Sequence, residues 1–215
     1  MVAENLDQTI VNEVRKAMDA QSTILASMES QLRICQLACE SFANMLSIEY
    51  VEFETDVSDT SQILVLETTI KSTNIFPILV GIAETNIGSG LDHEWKLLQN
   101  RCLGALSNMF LLMDREFMAS CNINACDLWN RLYSIQKNDN SHETITSVVG
   151  CLSALTRASP LNSINLNYDH IAVMINHYRQ SHSSELQVDI IGILGVFAQY
   201  QGNIEANKVI FNLMF

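Results

Sequence analysis

The sequence predicts an all-α chain, an α-solenoid in which helical hairpins stack side by side. Three observations predict it. Apolar residues recur at three- and four-residue spacing, as Leu6, Ile10, Val14, Ala17 and Met18 do near the start. Only two prolines and eight glycines among 215 residues leave little to break helices. Four apolar segments can also be laid over one another, and each follows another helical segment.

The elements read in order as follows. A first helix covers about 5–28, and "LACESFANML" (Leu37–Leu46) belongs to a second. "SIEYVEFETDVSDTSQ" (Ser47–Gln62) carries β-branched and aromatic residues. Its acidic content argues against a buried strand, so it reads as a loop or extended insertion. Phe76-Pro77 suits the first turn of a helix over about 74–85. Helix starts fall at Asp92, at Asn140 with Glu143 three residues on, and at Ser184 with Gln187 three residues on. The last two have the capping-box pattern, in which side chains satisfy the first unpaired N–H groups. Further helices cover about 122–136 and 168–180, and Ser159-Pro160 suits a helix end. Gly202 follows a last helix, and Asn203 can cap the next.

The repeat is the strongest internal signal. "LACESFANML" aligns with "RCLGALSNMF" (Arg101–Phe110), "SVVGCLSALT" (Ser147–Thr156) and "DIIGILGVFA" (Asp189–Ala198). Ala38, Cys102, Val148 and Ile190 then coincide, as do Phe42, Leu106, Leu152 and Leu194. Gly104, Gly150 and Gly192 share a register, with Glu40 the exception. Successive offsets of 64, 46 and 42 residues follow from the numbering. The last two match HEAT and armadillo repeats, and the first is long by about the acidic insertion. A lone hairpin cannot bury both its apolar faces, but stacked neighbours can. Residues 1–215 therefore read as one HEAT/armadillo-like array, with 47–62 an acidic loop insertion and the whole expected to be a piece of a longer array. The repeated glycines are expected to let adjacent helices approach closely.

Composition excludes several classes. Asp and Glu outnumber Lys and Arg 24 to 12, a formal charge of −12. That argues against direct nucleic-acid binding, which needs cations against phosphates, and favours basic partners through long-range attraction. Six cysteines contain no CxxC pair, and most occupy apolar positions, as buried thiols of a reducing compartment do. No basic stretch followed by an apolar core opens the sequence, so no signal peptide is expected. The apolar runs Ile190–Ala198 and Met109–Met113 fall far short of a spanning helix, so no membrane is expected.

No catalytic or metal-binding motif emerges, and no cofactor is expected. Gly192-x-x-Gly195 lies within an apolar helix and lacks the Lys-Ser/Thr of a phosphate loop. The five histidines, His93, His142, His170, His177 and His182, form no HExxH motif and read as surface or boundary residues. Trp95 and Trp129 sit in amphipathic helices and read as core. Asn44 and Asn108 share one register, and there an amide could satisfy an extended peptide's backbone as concave armadillo asparagines do. The ladder stops at Ala154 and Val196, and an ordinary solvated Asn is the other reading. Glu49, Glu52, Glu54, Asp56 and Asp59 make the insertion either an acidic arm for a basic partner or a solvated loop.

The segment "ELQVDIIGILGVFAQYQGNIEANKVI" (Glu185–Ile210) resembles the late HEAT repeats of the symportin-like armadillo/HEAT-repeat proteins. "NRCLGALSNMF" (Asn100–Phe110) resembles them more weakly. The resemblance implies a nuclear-import adaptor and chaperone, moving between cytoplasm and nucleus. Its cargo would be the basic ribosomal proteins that bind 5S rRNA, and a transportin-type karyopherin would carry the complex. No basic stretch with a Pro-Tyr pair, which karyopherin recognition needs, is present, so that partner would engage a region absent from this chain. The alternatives are a generic HEAT/armadillo scaffold or karyopherin-like adaptor, and an enzyme on a helical fold.

Overall fold

The computed structural model describes residues 27–44, 68, 70, 75–85, 92–112, 123–139, 141–159, 163–164 and 166–200. Every regular element among them is a helix. They are α1 (27–44), α2 (Ile75–Glu84), α3 (Asp92–Leu112), α4 (Ala125–Asn138), α5 (His142–Ala158), α6 (Tyr168–Gln180) and α7 (Ser184–Tyr200). Three hairpins follow: α2 with α3, α4 with α5, and α6 with α7. The expected helices over 5–28 and beyond Gly202, and the insertion 47–62, lie outside the described residues.

Packing follows the hairpin logic. Each second helix lies against the next, α3 on α5 and α5 on α7, while α2 lies against α4 in the other layer. The core fills the space between layers, with Trp129, Phe110, Leu98, Leu103, Leu106, Leu152 and Met174 almost wholly buried. Helix α5 is the centre. It packs on α3, α4 and α7, and ten of its 17 residues are buried, Thr144, Ser153 and Thr156 among them. Thr156 is tolerated because its hydroxyl donates to Leu152 O at 2.7 Å and accepts from Trp129 Nε1 at 3.3 Å. Trp129 in turn stacks on Tyr133 and meets His170 of α6, ring centroids 5.2 and 5.0 Å away.

The hairpin corners are tied by side chains of the second helix. A helix leaves its last carbonyls without internal partners. At the end of α2, Gln99 Nε2 donates to Ala83 O and Thr85 O, and Trp95 Nε1 donates to Thr85 O at 2.7 Å. At the end of α6, Gln187 Nε2 donates to Tyr178 O and Ser181 O. The corner between α4 and α5 uses a carboxylate instead. Asp139 accepts from Ser141 N, Thr144 Oγ1 and Lys96 Nζ. Burial alone would raise its pKa, but these donors together hold it below the ordinary value.

The caps differ from the expected ones in position. Ser141 rather than Asn140 caps α5, accepting from Thr144 N. Ser183 Oγ accepts from Leu186 N at the start of α7, one residue before the expected Ser184. The complete capping box falls at Asn167 with His170, where the imidazole takes the place usual for Glu or Gln.

Two packing expectations are corrected. Cys102, Val148 and Ile190 are buried at one register as expected, but Ala38 is exposed and Cys39 buried instead. Helix α1 turns Gln36 and Cys39 toward α3. There Gln36 Nε2 donates to Glu94 O and Oε2, and Cys39 Sγ lies 3.6 Å from Cys102 Sγ. The glycines are not sites of tight backbone approach. A Cβ added at Gly104 or Gly195 meets nothing within 4 Å, and at Gly150 or Gly192 it meets only side chains.

Gly104→Ala and Gly195→Ala are therefore expected to stabilise the fold by about 0.5–1 kcal/mol each, read from urea denaturation, because Ala loses less backbone entropy and has room. A second expectation concerns pH. Burial lowers the pKa of His170, with Lys137 adding to the effect, and burial lowers that of His177. The unfolded chain then takes up protons first, so stability falls as pH drops below about 6.5 toward the folded values. The urea midpoint should be lower at about pH 5.5 than at about pH 7.5, and the double variant His170→Gln, His177→Gln should shrink that difference.

Candidate functional site

A groove of about 510 Å³ crosses the second helices, and no residue of α2, α4 or α6 lines it. Helix α3 supplies Ser107, Asn108 and Leu111, and α5 supplies Gly150, Ala154 and Arg157. Helix α7 supplies Ser184, Glu185, Val188 and Asp189. These three helices face each other because each buries its apolar stripe toward the first-helix layer and leaves its polar stripe outward. Exposed Leu111 and Val188 give apolar walls, while Gly150 and Ala154 contribute little side-chain bulk to the floor.

The polar groups cross from helix to helix. Ser107 Oγ lies 3.5 Å from Gly150 O, linking α3 to α5. Asn108 Nδ2 donates to Ala43 O at 2.8 Å, linking α3 to the far end of α1. Arg157 Nη2 donates to Ser153 Oγ at 2.9 Å and reaches Asp189 Oδ1 at 3.5 Å, linking α5 to α7. Glu185 stands exposed one turn before Asp189. The arrangement offers carboxylates, amide and hydroxyl groups between apolar walls, which suits an extended polypeptide with basic and apolar side chains.

The expected site residues fall in three places. Asn108 lines the groove, where its Nδ2 is engaged within the chain, donating to Ala43 O. Asn44 is exposed beside that carbonyl, so the shared register brings the two asparagines to one helix junction. Glu49, Glu52, Glu54, Asp56 and Asp59 lie outside the described residues. Sequence reasoning missed Arg157, Glu185, Val188 and Asp189. One signal was available, since Arg157 is the only Lys or Arg in α5 and Asp189 opens the aligned segment of α7.

The remaining reactive groups do not converge. Among the described residues no set of three His, Cys, Asp or Glu is placed to hold a metal ion. Trp129 is core, as expected, while Trp95 is half-buried at the α2–α3 corner. His93, His142 and His182 are exposed, and His170 and His177 are half-buried. Cys39, Cys102 and Cys151 are buried free thiols, whereas Cys35 is exposed. The hydrogen bond between Cys39 and Cys102 draws Cys39 down, and with burial it pushes Cys102 up. No helix among the described residues is long and apolar enough to cross a membrane.

A family model described as "SYO1-like, TPR repeats" matches residues 60–214, which include every helix from α2 to α7. No curated protein and no solved structure matches the chain. Offsets of 46 and 42 residues exceed the ~34 of a TPR unit, but TPR, HEAT and armadillo arrays are all stacked helical hairpins. SYO1 is the symportin 1 orthologue, so the family agrees with the resemblance read at Glu185–Ile210. Matched over more than half its length and built as an all-α solenoid, the chain belongs to the SYO1-like family of helical-repeat proteins.

Proposed function

We propose that the chain is a non-catalytic protein-binding solenoid that escorts newly made basic ribosomal proteins of the 5S particle as an import adaptor and chaperone. The groove across α3, α5 and α7 carries this reading. It joins exposed Leu111 and Val188 to Glu185 and Asp189 on one continuous surface. A charge of −12 attracts basic cargo over distance, and the groove gives that cargo a place to lie. Membership of the SYO1-like family supports the choice of cargo. In this reading the protein works in cytoplasm and nucleus. A transportin-type karyopherin engages a region outside this chain, and the acidic insertion with Glu49, Glu52, Glu54, Asp56 and Asp59 adds to the attraction.

The test is a pulldown of purified 5S-particle ribosomal proteins by the chain over a salt series. Binding is expected at about 50 mM salt and is expected to weaken several-fold by about 300 mM, as screening shortens the reach of the charges. Glu185→Lys should weaken binding by about three- to tenfold, and because Glu185 is exposed but sits in the first turn of α7, its cost to stability should stay within about 1 kcal/mol. Absence of binding at low salt, or binding indifferent to both salt and Glu185→Lys, would overturn the reading.

A further inference from the structure

The groove's best-placed carboxylate already holds a cation. Asp189 is the less exposed partner of the pair, its side chain 21% exposed against 50% for Arg157. Arg157 Nη2 approaches it at 3.5 Å, a long single contact rather than a bidentate fork. The guanidinium has a second anchor on its own helix, Ser153 Oγ at 2.9 Å, so it can leave Asp189 without losing every partner.

The repeated glycines border this pair. A Cβ at Gly192 would sit 3.4 Å from both Arg157 Nη2 and Ser153 Oγ, so the guanidinium lies across Gly192. A Cβ at Gly150 would sit 3.5 Å from Asp189 Oδ2, so the carboxylate lies across Gly150. Each glycine thus faces the side chain that comes from the neighbouring helix. The wall beside the pair is apolar, with Val188 next to Asp189 and Leu111 opposite on α3.

We propose that Arg157 is an internal stand-in for a cationic side chain of the cargo: a basic residue of the bound segment takes Asp189, and Arg157 withdraws to Ser153. This rests on the groove being a site for basic polypeptide and adds the residue that sets its threshold. A segment must offer a Lys or Arg beside an apolar residue to displace Arg157. One bringing only apolar or acidic side chains gains nothing at Asp189. The exchange keeps Asp189 paired in both states, while the half-exposed Arg157 keeps Ser153 Oγ and is otherwise solvated.

The test uses fluorescence anisotropy with a short fluorescein-labelled peptide containing arginine and leucine, and its twin with glutamine for arginine. Arg157→Gln should tighten binding of the arginine peptide by about two- to fivefold, the range of a half-exposed ion pair. Asp189→Asn should weaken it, and Arg157→Gln added to Asp189→Asn should give no tightening. Arg131→Gln, on α4 in the other layer, removes the same charge away from the groove and should change little. Binding by the wild type that is unchanged or weakened in Arg157→Gln overturns the inference and leaves the groove's function standing. Equal tightening by Arg131→Gln overturns it too, since net charge then explains the effect. Binding of the arginine peptide by neither wild type nor Arg157→Gln overturns both.

Discussion

The burial of α5 on three sides is the constraint from which the rest of the structure follows. Ten of its 17 residues are buried, the polar Thr144, Ser153 and Thr156 among them, more than one partner helix can cover. Helix α4 covers one side, and the neighbouring second helices α3 and α7 cover two more. That arrangement makes the three second helices lie side by side, and lying side by side makes a groove. The Trp129–Thr156 bond ties α4 to α5 within the core and gives the buried indole N–H its partner.

The corners make the stacking specific. Gln99 and Gln187 come from different repeats but do one job, donating from the first turns of a second helix to the last carbonyls of the helix before it. Asp139 does the converse at the middle corner, accepting from the first turn of α5 and from Lys96 of α3. Because each bond spans a hairpin corner, the angle between the two helices is held by polar geometry as well as by apolar packing. The groove inherits that rigidity, since its walls are the second helices themselves.

The architecture was legible in the sequence because period and repeat are local signals. The 3.6-residue pattern and the alignment of Cys102, Val148 and Ile190 located the second helices and their buried faces. Ala38 broke the pattern because α1 meets α3 through Gln36 and Cys39, a choice made by the neighbour and invisible in its own spacing. Caps slipped by one residue where adjacent polar residues compete, as Asn140 and Ser141 do, since backbone dihedrals decide between them. The groove was least legible. Arg157 and Asp189 are 32 residues apart on different hairpins, and no spacing rule joins them. The glycines were visible, but their meaning was not. Small residues on a repeated register suggest close backbones, whereas two of these border polar side chains of a neighbouring helix at ordinary contact distance.

That pairing also governs the protein when it is alone. A half-buried carboxylate left bare in an open groove is a sink for any stray cation, whether a lysine of an unrelated protein or a second copy's arginine. With Arg157 lying across Gly192 and against Asp189, that carboxylate is neutralised where it lines the groove, in a chain whose formal charge is −12. If the groove takes basic cargo as proposed, this pairing would let long-range attraction bring basic proteins near without holding each of them at the groove.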